Sequence, residues 1–161
     1  MSIIVNSTPL ISLAIIHQLT LLQKIFHNVY LPQTVYNEVI INGKGRLGHT
    51  ELSTINWFQI VDPVNISLKH SIMLQLDEGE ADVITIAKDK SISLVCIDEF
   101  AGRQYAGLLG LDVIGTLGVL LIAKKKGFIP LLKPLCDKLI FNERYISRSL
   151  YNEVLIKAGE G

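Results

Sequence analysis

Apolar residues come in two rhythms along this chain, and their alternation predicts its elements. Ile3, Ile4 and Val5 form a short unbroken apolar run that reads as a buried strand, and Asn6, Ser7 and Thr8 end it. Helical spacing follows in two pieces, 9–16 and 19–26, interrupted around His17–Gln18. "NVYLP" is a second short strand, stopped by Pro32, and "QTVYNEVI" returns to helical period with Val35, Tyr36, Val39 and Ile40 on one face. A glycine-containing loop from Asn42 to Gly48 leads through a short polar helix to the strand-like "WFQIVDP". Residues 66–75 and "DEGEADVITIAKDK" read as helices, the second with acids in its first turn; "ISLVCID" is the clearest strand of the chain. "EFAGRQYAGLLG" predicts a helix ending near Gly110, and "LDVIG" a strand. "TLGVLLIAKKKG" predicts a helix with Thr116 as N-cap, lysines in its last turn and Gly127 just beyond. Two more helices are expected over 129–141 and 147–158. Short apolar strands alternating with amphipathic helices indicate an α/β sandwich around a mainly parallel sheet. Ligands in such folds bind beyond the carboxyl ends of the strands, near the point where strand order reverses, which directs attention to Asn6, Asp98 and Glu99.

Composition narrows this picture. With 161 residues, no repeat and no linker, one domain over 1–161 is expected. Lysine and arginine number 15, as do aspartate and glutamate, so no overall field draws the chain onto nucleic acid and any such contact needs a local basic patch. Cys96 and Cys136 are too few and too distant for a disulfide framework, and both sit in apolar runs as small core residues. The start lacks the pattern of a signal peptide, and "LLGLDVIGTLGVLLIA" is interrupted by Asp112 and falls short of the ~20 apolar residues of a membrane span. A cytoplasmic protein without membrane contact is the expectation.

The acids are the candidate chemistry. Asp98 and Glu99 directly follow "LVCI" and should emerge at the end of a central strand, where either also suits the start of the next helix. Glu80 falls in line with Ile84 and Ala87 on the inward face of its helix, whereas Asp82 aligns with Ile86 and Asp89 on a mixed flank. Glu38 flanks the apolar stripe of the helix after the second strand, a position that also suits a surface glutamate. Spacing alone does not bring these acids together. Basic residues are sparse: Lys44, Arg46, Arg103, Arg144 and Arg148 are the candidates for one RNA path, while Lys124–Lys126 complements a helix C-terminus.

The ordered set "VNSTPLISLA", "LPQTVYNEV", "LDEGEADVITIA", "LVCIDEFAGRQYA", "VIGTLGVLLIAKKKGFIP" and "ISRSLYNEVLIKAGE" resembles the PIN-domain superfamily, in its branch of small prokaryotic nucleic-acid-binding PIN-like proteins. The resemblance covers nearly the whole chain and implies a three-layer α/β/α sandwich. It implies Mg²⁺- or Mn²⁺-dependent ribonuclease activity, in many members as the toxin of a toxin–antitoxin pair. The superfamily's four acid positions fall on Asn6, Glu38, Glu80 and Asp98, with the last three as metal ligands. Ser7 or Thr8 matches the small hydroxyl beside the first acid, Arg103 matches a basic position of the branch, and Glu99 stands where it can assist. Lys44, Arg46 and Arg103 are the residues implied to meet RNA, and a small antitoxin and a second copy of the chain are the implied partners.

Acids suit phosphodiester hydrolysis because divalent metal needs hard oxygen ligands, and Mg²⁺ takes one or two carboxylates and keeps waters elsewhere. Asn6 departs from the pattern: the amide loses one charge and keeps one ligating oxygen. Two readings result. One is a metal-dependent ribonuclease with a weakened site; the other is a degenerate PIN-like domain that binds RNA or a protein without cutting. A receiver domain would need acids after the first strand, where only Asn6, Ser7 and Thr8 stand.

Overall fold

The computed structural model describes residues 1–161. The chain opens with β1 (Ser2–Val5), α1 (Ser7–Ile15) and α2 (Thr20–Ile25), the two helices parted where His17 takes φ 57°. Next come β2 (Asn28–Pro32), α3 (Gln33–Tyr36) running into a π-helical turn (Asn37–Ile41), α4 (His49–Ser53) and β3 (Gln59–Val61). The second half comprises α5 (Ile66–Ile72), α6 (Glu78–Asp89), β4 (Leu94–Cys96), α7 (Phe100–Leu108), β5 (Asp112–Ile114), α8 (Thr116–Lys125), α9 (Lys133–Phe141) and α10 (Arg148–Lys157).

The five strands make one all-parallel sheet in the order β3-β2-β1-β4-β5. Parallel neighbours demand crossover connections, which put helices on both faces and leave the central strands apolar throughout. Accordingly Ile3, Ile4 and Val5 are all fully buried, and Ile4 and Val5 pair with Val95 and Cys96 of β4. On one side α1 and α2 pack against α8, which also carries α10; on the other α6 crosses β1, β2 and β4, with α3 and α5 beside it. Buried apolar side chains form one contiguous cluster through these layers, Cys96 and Cys136 among them as free thiols. This is the expected α/β sandwich. The apolar stretch 108–123 divides, as expected, between a strand and a helix, and no helix is long and apolar enough to cross a membrane.

After β3 the chain returns across the sheet through α5 and α6 to place β4 beside β1, so strand order reverses between β1 and β4. The Asn6 N–H donates to Cys96 O at 3.0 Å and the Ile97 N–H to Ile114 O at 2.9 Å, carrying the ladder one residue past each strand. Asn6 and Asp98 thus leave the sheet on either side of the switch point, where the crevice of such folds opens.

Three local expectations are corrected. Thr116 is not the cap of α8; Gly115 holds that position, and Thr116 is the first helical residue, its N–H and its hydroxyl both donated to Asp98. Asp82 is not on a mixed flank but 1% exposed, since α6 is covered by α5 as well as by the sheet. Its Oδ1 lies 2.9 Å from Lys69 Nζ and its Oδ2 accepts from Thr34 Oγ1 at 2.8 Å. The helix of "QTVYNEVI" widens after one turn into the π-helical turn, whose Ile40 carbonyl accepts from His49 Nε2 at 2.9 Å.

Candidate metal centre

Asn6 stands one residue beyond β1 in extended conformation and is 3% exposed. Its Oδ1 is buried without a hydrogen-bond partner and faces Gly79 in the first turn of α6. That helix starts on Asp77, whose Oδ1 accepts from the Glu80 N–H at 2.8 Å. The cap aims the Glu80 side chain inward, where it is 7% exposed and packs against Gly102 of α7. Glu80 Oε2 is likewise buried without a partner. Burial first, then the charge of Asp77 and to a smaller degree that of Glu99, pushes the Glu80 carboxyl up to about 7.

Asp98 follows β4 and is half-buried. Its Oδ1 accepts from the Thr116 N–H and its Oδ2 from Thr116 Oγ1, both at 2.7 Å, so one residue at the head of α8 fixes the carboxylate plane. Burial raises the Asp98 carboxyl above the usual range, against the lowering effect of the Thr116 bonds. Glu99 is exposed, and its Oε1 accepts from Thr8 Oγ1 at 2.5 Å, tying α7 to α1 across the crevice. Arg103 turns back and donates from Nη1 to Ile97 O at 2.9 Å.

Beside these acids a cleft of about 700 Å³ runs from Thr8, Asp98 and Arg103 towards α10. Arg144 forms part of its wall, donating from Nε to Ser12 Oγ at 2.9 Å and from Nη2 to Thr8 O at 3.3 Å. Asn6 and Glu80 are buried and do not line this cleft. Ser7 is buried in the first turn of α1. Glu38 is exposed on the π-helical turn, and Lys44 and Arg46 are exposed in the loop before α4. The structure therefore gathers Asn6, Glu80, Asp98, Glu99, Thr8 and Arg103 around the switch point and leaves Glu38, Lys44 and Arg46 in solvent.

No three His, Cys, Asp or Glu side chains are grouped closely enough to hold a metal by themselves. The donor set must then be completed by the amide. Four buried side-chain oxygens lack a hydrogen-bond partner: Asp82 Oδ1, which faces Lys69 Nζ, Thr85 Oγ1 within α6, and the two beside the switch point, Asn6 Oδ1 and Glu80 Oε2. An enclosed carboxylate oxygen without a donor is costly, and a hard divalent cation removes that cost. Each Asp98 oxygen accepts one bond and keeps a second lone pair. An all-oxygen set with two carboxylates and one amide suits Mg²⁺ or Mn²⁺ and offers nothing to a thiophilic metal. The residues fit.

Thr116 and the glycines at 79, 102 and 115 were not legible as site residues. Thr116 carried the signal of a helix start and was assigned to it, and glycines in a helical pattern carry no sign of what approaches them. A family model described as "DUF3368: PIN domain" matches residues 2–160 of the chain. None of the curated proteins matches it.

Proposed function

Because the chain belongs to the PIN-domain family, a nuclease-type superfamily, we propose that it is a divalent-metal-dependent ribonuclease with Asn6, Glu80 and Asp98 around the metal. The observation that carries this reading is the pair of buried, unpartnered oxygens on Asn6 and Glu80 beside the carboxyl ends of β1 and β4. A bound divalent cation supplies Lewis acidity at a phosphoryl oxygen and acidifies water.

The chain's own residues do the rest. Thr116 holds Asp98 with both of its donors, so this carboxylate meets its ligand without rotamer search. Glu80, whose carboxyl burial and Asp77 push up to about 7, would hold the cation as its carboxylate. Glu38, in solvent, is assigned to orienting water and not to the ligand set. Arg103 spends Nη1 on Ile97 O and keeps its other donors for a phosphate. RNA takes the cleft beside Asp98, with Lys44 and Arg46 as outer contacts.

A toxin role in the cytoplasm, with a small antitoxin as partner and a second copy of the chain as dimer mate, completes the reading. The exposed Phe141 at the end of α9 and Tyr145 before α10 are the surface such partners would cover.

Cleavage of single-stranded and structured RNAs with Mg²⁺ or Mn²⁺, by wild type, Asp98→Asn and Asn6→Asp, tests the proposal. The expected result is metal-dependent cleavage by wild type, lost in Asp98→Asn and raised in Asn6→Asp. Inertness of wild type and Asn6→Asp alike overturns it in favour of binding without cleavage.

A further inference from the structure

We propose that Gly102 and Gly115 are positioning residues of the acidic site, each omitting the one methyl group that would stand where a carboxylate sits. This rests on the reading of Glu80 and Asp98 as cation ligands.

Glycine is the residue least favoured in a helix after proline, so Gly102 in the first turn of α7 calls for a reason. A Cβ at Gly102 would overlap Glu80 Oε2 outright and stand 3.2 Å from Glu80 Cδ and 3.0 Å from Ile97 Cγ2. Glu80 is enclosed, so an added methyl moves either the carboxylate or the start of α7, and the present fit of Oε2 against position 102 is lost either way.

Gly115 makes the same point on ordinary extended backbone, φ −115° and ψ −171°, which any residue adopts. A Cβ there would fall 2.6 Å from Asp98 Oδ1 and 3.0 Å from Arg103 Nη1. That Oδ1 is the atom that receives the Thr116 N–H.

Two other glycines show that the constraint is local. Gly107, in the same helix as Gly102, has nothing within 4 Å of its missing Cβ. At Gly79 the nearest atom would be Asn6 Oδ1 at 3.4 Å, an ordinary contact. Gly43, Gly48 and Gly161 also lack room for a methyl, but against Val39 O, Ala14 Cβ and Ile156; at Gly102 and Gly115 the crowded atoms are carboxylate oxygens, so an added methyl there crowds a ligand without removing any ligand chemistry.

The test measures Mn²⁺ binding by paramagnetic resonance and thermal unfolding in EDTA for Gly102→Ala, Gly115→Ala and Gly107→Ala. Gly107→Ala should keep wild-type Mn²⁺ affinity and raise the midpoint by about 2–4 °C. Gly102→Ala and Gly115→Ala should lose Mn²⁺ affinity about tenfold or more while staying folded. Gly102→Ala with Glu80→Asp, one methylene shorter, should regain part of that affinity although Glu80→Asp alone loses it. In EDTA, Gly102→Ala should lower the midpoint several degrees less in a Glu80→Ala background than in wild type, a difference that sets Ile97 aside.

Unchanged Mn²⁺ affinity in both alanine variants, or an equal midpoint loss in both backgrounds, overturns the proposal. Should Gly102→Ala not fold, Gly115→Ala decides, since its backbone angles carry no strain. A wild-type chain without Mn²⁺ affinity sinks the ligand reading, and the EDTA comparison then supports or overturns the positioning on its own.

Discussion

Replacing Glu80 by Gln should make the metal-free protein more stable at pH 8 and leave it nearly unchanged at pH 4.5. In the unfolded chain this carboxyl titrates near 4.5, and in the folded protein it is pushed up to about 7 by burial and by Asp77. Between those values the folded state holds a proton that the unfolded state has released, so stability falls as pH rises through the window and levels off above it. A gap of about 2.5 pH units at about 1.36 kcal/mol per unit sets an upper limit of about 3.4 kcal/mol. Solvent screening at the rim, where Glu99 is exposed, reduces the usable part to about 1–2 kcal/mol. Gln keeps the side-chain volume and removes the charge, so Glu80→Gln should recover that amount, a rise of about 2–8 °C in midpoint at pH 8. Urea unfolding in EDTA at pH 4.5 and pH 8 reads it directly. Adding Mn²⁺ should then stabilise wild type by about 1.4 kcal/mol for every tenfold excess over the dissociation constant and leave Glu80→Gln much less affected. A Glu80→Gln variant less stable than wild type at pH 8, or a difference that is the same at both pH values, refutes the reasoning.

Two further outcomes concern the frame that carries the site. The Glu160 side chain is 8% exposed, and its desolvation pushes the carboxyl up. Lys124 Nζ at 2.6 Å and the N–H groups of Leu132 and Lys133 at 2.7 and 3.0 Å outweigh that and hold it at about 2. Its contribution is therefore complete above pH 4.5 and lost as pH falls towards 2, so Glu160→Gln should cost about 1–2 kcal/mol at pH 7 and almost nothing at pH 2, read by urea unfolding at both. Asp82→Ala should cost about 3 kcal/mol at pH 7 by the same assay, because it strands Thr34 and leaves Lys69, 14% exposed, with Glu78 alone.

Sequence legibility followed the range of the interaction that decides each residue. Strand ends, the break at His17 and the inward aim of Glu80 are set within one or two turns of chain, and local pattern read all three. The apolar period of α6 showed its sheet-facing stripe but not the second cover supplied by α5, so Asp82 was misplaced although Glu80, two residues away, was not. A hydroxyl at a helix start has the local meaning of a cap; here the Thr116 hydroxyl is donated to an acid 18 residues upstream and Gly115 stands at the cap position. The Arg144 contact with Ser12 spans 132 residues, beyond any pattern rule. Glycines are the extreme case, since what they provide is an absence that acquires meaning only when Glu80 or Asp98 fills it.

The same electrostatics account for the amide at the end of β1. Asp77, Glu80, Asp98 and Glu99 already stand around the switch point; burial raises the Glu80 and Asp98 carboxyls most, and charge adds to it, from Asp77 and Glu99 at Glu80 and from Glu99 at Asp98. Arg103 opposes this at Asp98, but its Nη1 is spent on Ile97 O and no lysine reaches the cluster. A fifth carboxylate at position 6, 97% enclosed, would face the full desolvation cost with no cation of the protein to meet it. Asn6 presents a hard oxygen in that place without a charge, so the metal-free fold bears less repulsion, and an ion held as proposed would receive less negative charge. On the proposed reading the amide trades metal affinity for stability of the metal-free fold. The direction of that trade is why Asn6→Asp should gain activity where Mg²⁺ or Mn²⁺ is abundant and lose stability where it is scarce.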